Sequence, residues 1–331
     1  MEQNILQVKD LRVSYDTYAG EVQSVRGVSF YVKKGETLAI VGESGCGKSV
    51  TAKSIMRLIA DPGKIKDGSS IVFDGRDVLA MRKRELRSYR GDDCAMIFQD
   101  ALTSLDPTMK VGKQIAEVLK IHGKANGKRA AAQAVELLRQ VGIPNPERRA
   151  QEYPHQFSGG MRQRAMIATA LACSPKLLIA DEPTTALDVT IQAQIIDLMK
   201  QLQQQTGTAI ILITHDLGVV AQMCDIVYVM YAGKVMEQAE TFELFRNTCH
   251  PYTEGLLKSI PRMDNQVDRL YSIRGVVPNL LHLPKGCSFC TRCDYATERC
   301  RQERPELYPV GDGHMVRCFR YEKGGDDHGE E

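Results

Sequence analysis

The octet Gly42-Glu43-Ser44-Gly45-Cys46-Gly47-Lys48-Ser49 fits the pattern G-x-x-x-x-G-K-[ST], and its reading decides the fold. Glycine lets the backbone wrap closely around an anion, with successive N–H groups pointing inward. A helix expected to begin near Lys48 adds the positive end of its dipole. In such a loop Lys48 reaches the β- and γ-phosphates and Ser49 holds Mg²⁺, while Cys46, at an x position, contributes its backbone N–H. The run Thr37-Leu38-Ala39-Ile40-Val41 ahead of the loop reads as a buried strand, and residues 54–59 after it read as helix. Strand, glycine-rich loop and helix together give the motif its meaning.

The chain around this loop has 331 residues, which favours two domains or one domain with a sizeable appendage. Its 43% hydrophobic and 25% charged content is that of a globular protein, and a net charge of +2 gives no bulk reason to bind nucleic acid. No run of apolar residues is long enough to span a membrane; the longest, residues 209–230, is broken by His215, Asp216 and Asp225. The start, Met1-Glu2-Gln3-Asn4, lacks the basic and apolar regions of a signal peptide, so the expectation is a cytoplasmic chain in which disulfides are rare. Cys46, Cys94, Cys173, Cys224 and Cys249 are scattered and read mostly as small buried hydrophobes. Cys287, Cys290, Cys293, Cys300 and Cys318 crowd near the C-terminus and form a site candidate.

Residues 5–8, 11–15, 28–32 and 71–73 are short β-prone runs between Gly or Asp turns, and the charged stretch 81–90 reads as a solvated helix. From about 108 to 173 the character is helical; residues 130–141 are good helix formers stopped by Gly142. Apolar strands at 177–180, 209–214 and 226–230 then alternate with helices at 191–204 and 217–223, the βαβ pattern of a parallel sheet. Past about residue 245 Pro, Cys and Arg become frequent and periodicity fades, and the acidic, glycine-rich end at 324–331 reads as a frayed tail.

Two further segments carry chemistry. The strand Leu177-Leu178-Ile179-Ala180 ends in Asp181-Glu182, where Asp181 suits the Mg²⁺ shell and Glu182 suits polarising a water. Phe157-Ser158-Gly159-Gly160 leads into a helix expected at 161–173, a second helix N-terminus with bare backbone donors. Two such phosphate-binding ends are hard to use on one nucleotide within one chain.

Taken together, these segments resemble the nucleotide-binding subunit of an ATP-binding cassette (ABC) transporter, from residue 5 to about 245. The resemblance implies an α/β P-loop NTPase fold with a mixed or parallel sheet core, an ABC domain over 1–245 and an inserted helical subdomain at about 100–173. It implies two subunits head to tail, with Ser158, Gly159 and Gly160 of one closing on ATP held by the other's loop, Gly42 through Ser49 and Val50. Phe157 stands where the family usually has Leu, an apolar exchange of little expected consequence. Gln99 resembles the glutamine that reaches Mg²⁺ and the water. Ala186-Leu187-Asp188 resembles the loop touching the opposite subunit, His215 the switch histidine at the γ-phosphate, and Tyr15 the aromatic stacked on adenine. The implied reaction is hydrolysis of the γ-phosphate by a water that Glu182 orients, with Lys48, Mg²⁺ and the partner's serine offsetting charge.

His250-Pro251-Tyr252-Thr253 and Val276-Val277-Pro278-Asn279 resemble the C-terminal extension of the oligopeptide/dipeptide importers, whose relatives also import nickel; this places an extension over 246–331. Read from spacing, Cys287-x₂-Cys290-x₂-Cys293 starts like a ferredoxin run, but the later spacings and the missing Pro depart from it. The importer extension instead has C-x₅-C-x₆-C-x₁₇-C, which Cys287, Cys293, Cys300 and Cys318 fit, leaving Cys290 spare. In that family the four hold a [4Fe-4S] cluster; Zn²⁺ is the rival for a four-cysteine site, and purely structural thiols are a third reading. Arg292, Arg299, Arg301, Arg304, Arg317 and Arg320 read as a solvated rim that could offset a negative cluster.

The expectation is a transport-coupled ATPase of a dipeptide or oligopeptide importer, peripheral on the cytoplasmic side of the cell membrane. Its expected partners are two transmembrane permeases, a second homologous cassette subunit and, indirectly, an external solute-binding protein, with no nucleic acid. A nickel or other small-solute importer of the same subfamily stays open. A soluble cassette ATPase on ribosomes or DNA fits less well beside the single cassette, the near-neutral charge and the His250-Pro251-Tyr252-Thr253 extension, and an iron–sulfur module with a relic cassette fits less well beside intact Lys48, Glu182 and His215.

Overall fold

The structure, a computed structural model, describes residues 4–100, 104–185, 187–260 and 271–322. Ala186 and the expected tail at 324–331 lie outside the described residues. The chain divides into two compact units: one built from Met1–Gln7, Tyr31–Thr37 and Ile71–Ile213, the other from Val8–Phe30, Leu38–Ser70 and Thr214–Glu331.

The first unit is organised on three parallel strands, Cys94–Ile97, Leu177–Asp181 and Ala209–Thr214, with Ile97 opposite Ala180 and Asp181 opposite Ile213. Every residue of these strands is buried, as the near-continuous apolar sequence of parallel strands requires. The helix Val111–Ile121 buries Val111, Ile115 and Leu119, and the helix Gly127–Gln140 buries Ala130, Ala134 and Leu138, each a single stripe at helical spacing. Gly142, at φ +72°, ends the second of these, as its position in the sequence suggested. The helices Gly159–Leu171 and Val189–Thr206 follow, the latter stopped by Gly207 at φ +66°.

In the second unit the strand Thr37–Val41 runs parallel to Ile226–Tyr231, which turns through Ala232 and Gly233 into the antiparallel strand Lys234–Glu240. Both turn residues have positive φ, 45° and 79°, the backbone of a tight hairpin turn. Two short strands of the C-terminal segment continue this sheet: Met315–Val316 pairs with Lys234–Glu240, and Tyr308–Pro309 pairs with Met315–Val316. The sheet is therefore mixed, and the segment in which periodicity fades supplies two of its strands. Strands of two residues carry too little pattern to be read from sequence.

Fully buried Glu237 fastens that segment. Its carboxylate accepts from Cys249 N at 2.7 Å, His250 N at 3.1 Å and His314 Nε2 at 2.9 Å. Burial opposes a charge on His314, but its contacts with Cys249 and Glu237 outweigh it and hold the imidazole up at about 10. His250 has the opposite fate: burial drives it down to about 4, and its neutral Nδ1 accepts from Tyr252 N at 3.0 Å.

Other local expectations are adjusted. The phosphate-loop helix runs Lys48–Ile55 instead of through 59, because Arg57 turns left-handed at φ +50° to lead the chain toward Gly63–Ile65. The two runs at 5–8 and 11–15 are one strand, Asn4–Thr17, that passes through a left-handed Asp10 at φ +44°. The charged stretch gives the helix Lys83–Ser88, which buries no residue.

Candidate nucleotide site

In the second unit the octet leaves the buried strand Thr37–Val41 and ends on the helix Lys48–Ile55. Gly42, Gly45 and Gly47 have φ of +148°, +79° and +102°. A Cβ on Gly42 would meet Met230 O at 2.2 Å, and one on Gly47 would meet Ser24 O at 2.4 Å, so backbone approach as well as conformation requires glycine at both. Lys48 is buried, and its Nζ donates to Gly42 O at 2.6 Å and Glu43 O at 3.1 Å, lying across the loop. Cys46 N donates to Glu43 O, and burial pushes the Cys46 thiol up, consistent with a structural side chain at that position. Ser44, Ser49 and Val50 complete the turn into the helix, whose first turn holds Thr51 Oγ1 against Gly47 O at 2.9 Å.

His215 follows the strand Ala209–Thr214, and Asp216 behind it caps the helix Leu217–Met223 by accepting from Gly218 N and Val219 N. His215 is exposed and lines a cavity of about 380 Å³ together with Gly42, Glu43, Leu256 and Ile260. Tyr15 is half-buried on the strand Asn4–Thr17, opposite Gly63, where a Cβ would strike its ring at 2.6 Å.

The first unit holds the remaining candidates. Gln99 and Glu182 follow adjacent parallel strands, and Gln99 Nε2 donates to Glu182 Oε2 at 3.0 Å. Glu182 takes a left-handed φ of +49°, rare for a side chain of its size, and its N–H donates to Ile213 O. Thr185 Oγ1 donates to the same Oε2 at 2.9 Å, a partner that sequence reading missed. Asp181 is buried at the strand end. Ser158 caps the helix Gly159–Leu171 through Met161 N, and Asp188 caps Val189–Thr206 through Ile191 N at 2.9 Å. Gly159 has open space around it, whereas a Cβ on Gly160 would meet Ile191 Cγ2 at 2.9 Å. Phe157 is buried, as an apolar exchange at that position requires. Gln163, on the same helix, donates to Pro183 O and links the Ser158 helix to the turn after Glu182.

Two models of protein families match the chain: one described as ABC transporter over residues 25–185, and one described as the C-terminal region of oligopeptide/dipeptide transporters over residues 236–300. The oligopeptide transport ATP-binding protein OppD of Bacillus subtilis is 55% identical over 317 residues, covering 95% of this chain and 88% of its own. The chain belongs to the ATP-binding subunits of oligopeptide and dipeptide ABC transporters. Another relative of this transporter ATPase, the dipeptide transport ATP-binding protein DppD of Lactococcus lactis, is 52% identical and covers 96% of the chain and 91% of its own length. A dimeric ATP-binding cassette solved in a post-hydrolysis state with ADP and Pi shares its fold, at TM-score 0.64 and 27% identity over 71% of this chain and 98% of that one. The fold is thus that of the ABC ATPases, with mixed sheets and helices, and no helix among the described residues is long and apolar enough to cross a membrane.

In the transporter ATPase's C-terminal segment Cys287, Cys290, Cys293, Cys300 and Cys318 line one cavity of about 290 Å³, with His250 at its wall. Burial pushes Cys287 up to about 12, and Cys290, Cys300 and Cys318 push it the same way; burial pushes Cys293 up to about 11, with Cys318 and Cys300 adding. Among the described residues the one His/Cys/Asp/Glu trio with all its ligand atoms within 4.8 Å is Glu237, Cys249 and His314, whose hydrogen bonds already account for it.

The arginines do not form the uniform rim that composition suggested. Arg292 is buried, with its side chain 3% exposed, and its guanidinium is paired with Glu43. Arg317 is half-buried and reaches Val235 O and Pro305 O, whereas Arg299, Arg301, Arg304 and Arg320 are exposed, as expected of a solvated rim, with Arg299 4.0 Å over the Phe319 ring and paired with Glu303 and Glu322. Glu43, the partner of Arg292, lies 249 residues away in sequence, so local hydrophobicity carries no trace of it.

Proposed function

We propose that this chain hydrolyses ATP to power import of dipeptides or oligopeptides, working at the cytoplasmic face of a membrane on two permease subunits, with a second cassette subunit completing each site. The observation that carries the reading is the Gln99–Glu182 pair at the C-terminal edge of parallel strands, in a family of transport ATPases whose phosphate-loop residues are all present. The crevice beyond the carboxyl ends of parallel strands is where α/β sheets bind ligands.

In this reading the loop from Gly42 to Val50 cradles the phosphates and Tyr15 stacks on adenine. Lys48 leaves the Gly42 and Glu43 carbonyls to contact the β- and γ-phosphates. Glu182 orients and deprotonates water, and Gln99 and Thr185 hold its carboxylate in place. Ser49, Gln99 and Asp181 are the residues that would hold Mg²⁺, which lowers the charge of the phosphates when bound. Ser158, Gly159, Gly160 and Asp188 stand at helix N-termini whose donors face a partner's nucleotide. His215 contacts the γ-phosphate.

The four cysteines Cys287, Cys293, Cys300 and Cys318 would hold a [4Fe-4S] cluster. The one cavity that all of them line supports a cysteine-bound group there, with Zn²⁺ as the alternative to the cluster. When bound, the cluster supplies a structural staple to a segment with a thin core.

The deciding experiment isolates the tagged chain from detergent-solubilised membranes and compares it with Glu182→Gln. The expected outcome is co-purification of two permeases and a second cassette subunit, with ATPase turnover at least about 100-fold lower in the variant and ATP-bound dimers trapped. Unchanged turnover in Glu182→Gln removes Glu182 from its role; ribosomal companions without a membrane protein overturn the import reading.

A further inference from the structure

We propose that Arg292 is a positioning residue of the nucleotide site, holding Glu43 so that the C-terminal segment sets the shape of the phosphate loop. The inference rests on the phosphate-loop reading above. Arg292 Nη1 and Nη2 donate to Glu43 Oε2 and Oε1 at 2.6 and 3.0 Å, a two-pronged pairing that fixes direction as well as distance. Its Nε donates to Arg274 O at 2.9 Å, and Tyr231 and Phe289 wall the guanidinium at 5.7 and 5.9 Å.

Glu43 is held a second time, through its backbone. Its N–H donates to Tyr252 Oη at 2.8 Å, and the Tyr252 ring packs on Tyr231 and Phe289 with centroids 4.7 and 5.4 Å away. Glu43 O in turn accepts from Lys48 Nζ at 3.1 Å. One continuous path therefore runs from the cysteine segment through Arg292 and Glu43 to the phosphate-binding lysine. Arg292 lies between Cys290 and Cys293, so any event that reorders the cysteine segment moves the guanidinium. A buried guanidinium without its carboxylate is costly, and the pair therefore docks or separates as a unit instead of stretching.

The distance between these residues in the chain, with phosphate loop and cysteine segment at opposite ends, makes the link invisible to motif reading. It gives Glu43, at a permissive motif position, a specific task.

The test is equilibrium binding of MgATP to the purified full chain, with Arg292→Met, Glu43→Gln, the double variant and Lys48→Ala, each also followed by thermal melting. Arg292→Met and Glu43→Gln are each expected to weaken binding about tenfold, and the double variant to bind no worse than either single one. Arg292→Lys, which keeps the charge and loses the fork, is expected to recover part of the loss. Glu43→Gln is nearly isosteric and keeps the test open where Arg292→Met folds poorly. Unchanged affinity with only a lower melting temperature makes the pair purely structural and overturns the proposal, as do additive losses in the double variant. Wild-type affinity in Lys48→Ala overturns the phosphate-loop reading instead.

Discussion

At the scale of single residues, the glycines of the loop differ in what they demand. Gly42 and Gly47 face backbone carbonyls at distances no Cβ tolerates, whereas Gly45 faces nothing within 4 Å and needs only its positive φ. Gly47→Ala is therefore expected to abolish nucleotide binding, with the strand–loop junction forced apart. Gly45→Ala should cost about 1 kcal/mol of stability from left-handed backbone alone. Calorimetric titration with MgATP separates the two; equal losses would contradict the backbone contacts.

The two buried histidines make a second residue-scale prediction. His250 is held near 4, below an ordinary imidazole, so the unfolded chain binds the extra proton and stability is lost as pH falls from about 6.5 toward 4. The full effect is on the order of 3 kcal/mol. His314 is held near 10, so its contribution is complete below about 6.5 and is lost as pH rises through 10. Chemical denaturation across pH should show both limbs, with His314→Gln flattening the alkaline one.

At the scale of elements, caps carry two jobs. Ser158 and Asp188 each hold the first turn of a helix by accepting a backbone N–H, and both stand where a partner's nucleotide is proposed. Replacing a capping side chain by Ala costs about 1 kcal/mol of stability. Ser158→Ala is expected to lose that much and, beyond it, at least about tenfold in turnover of the assembled transporter at unchanged nucleotide affinity of the chain itself. Urea melts beside ATPase rates distinguish the two; a stability loss alone would reduce Ser158 to its cap. Elements also set the limit of sequence reading. The strand runs 177–180 and 209–214 and the stop at Gly142 were legible because long apolar runs and glycine ends speak for themselves. The strands Tyr308–Pro309 and Met315–Val316 were not, since two residues have no period and the strand that joins them to the sheet, Lys234–Glu240, lies far upstream.

At the scale of the molecule, the C-terminal segment is tied into the second unit by strand pairing, by Glu237 and by Arg292. Anaerobic purification is expected to give a brown protein with about four irons per chain and matching sulfide. Cys293→Ser and Cys318→Ser should lose the iron, and Cys290→Ser should keep it. Stoichiometric zinc in the anaerobic protein would reject the cluster. Glu237→Gln should destabilise the fold by about 3 kcal/mol, because it takes away the acceptor of Cys249 N, His250 N and buried His314, leaving the imidazole only the more exposed Glu243 at 3.7 Å; an unshifted melting curve would refute that role.

The phosphate-loop octet, the Asp181-Glu182 strand end and the Ser158-Gly159-Gly160 turn were enough to carry the resemblance to the family and, with it, the reaction class. Each is a contiguous stretch whose chemistry depends on local backbone geometry. What only the tertiary structure decided is which distant groups meet: Thr185 on Glu182, Gln163 on Pro183, Tyr252 and Arg292 on Glu43, and His314 on Glu237. Arg292 read as solvated because an arginine among charged neighbours ordinarily is. It is buried because the fold brings a carboxylate from the other end of the chain within 2.6 Å, and a pairing between residues so far apart leaves no mark on the sequence around either one.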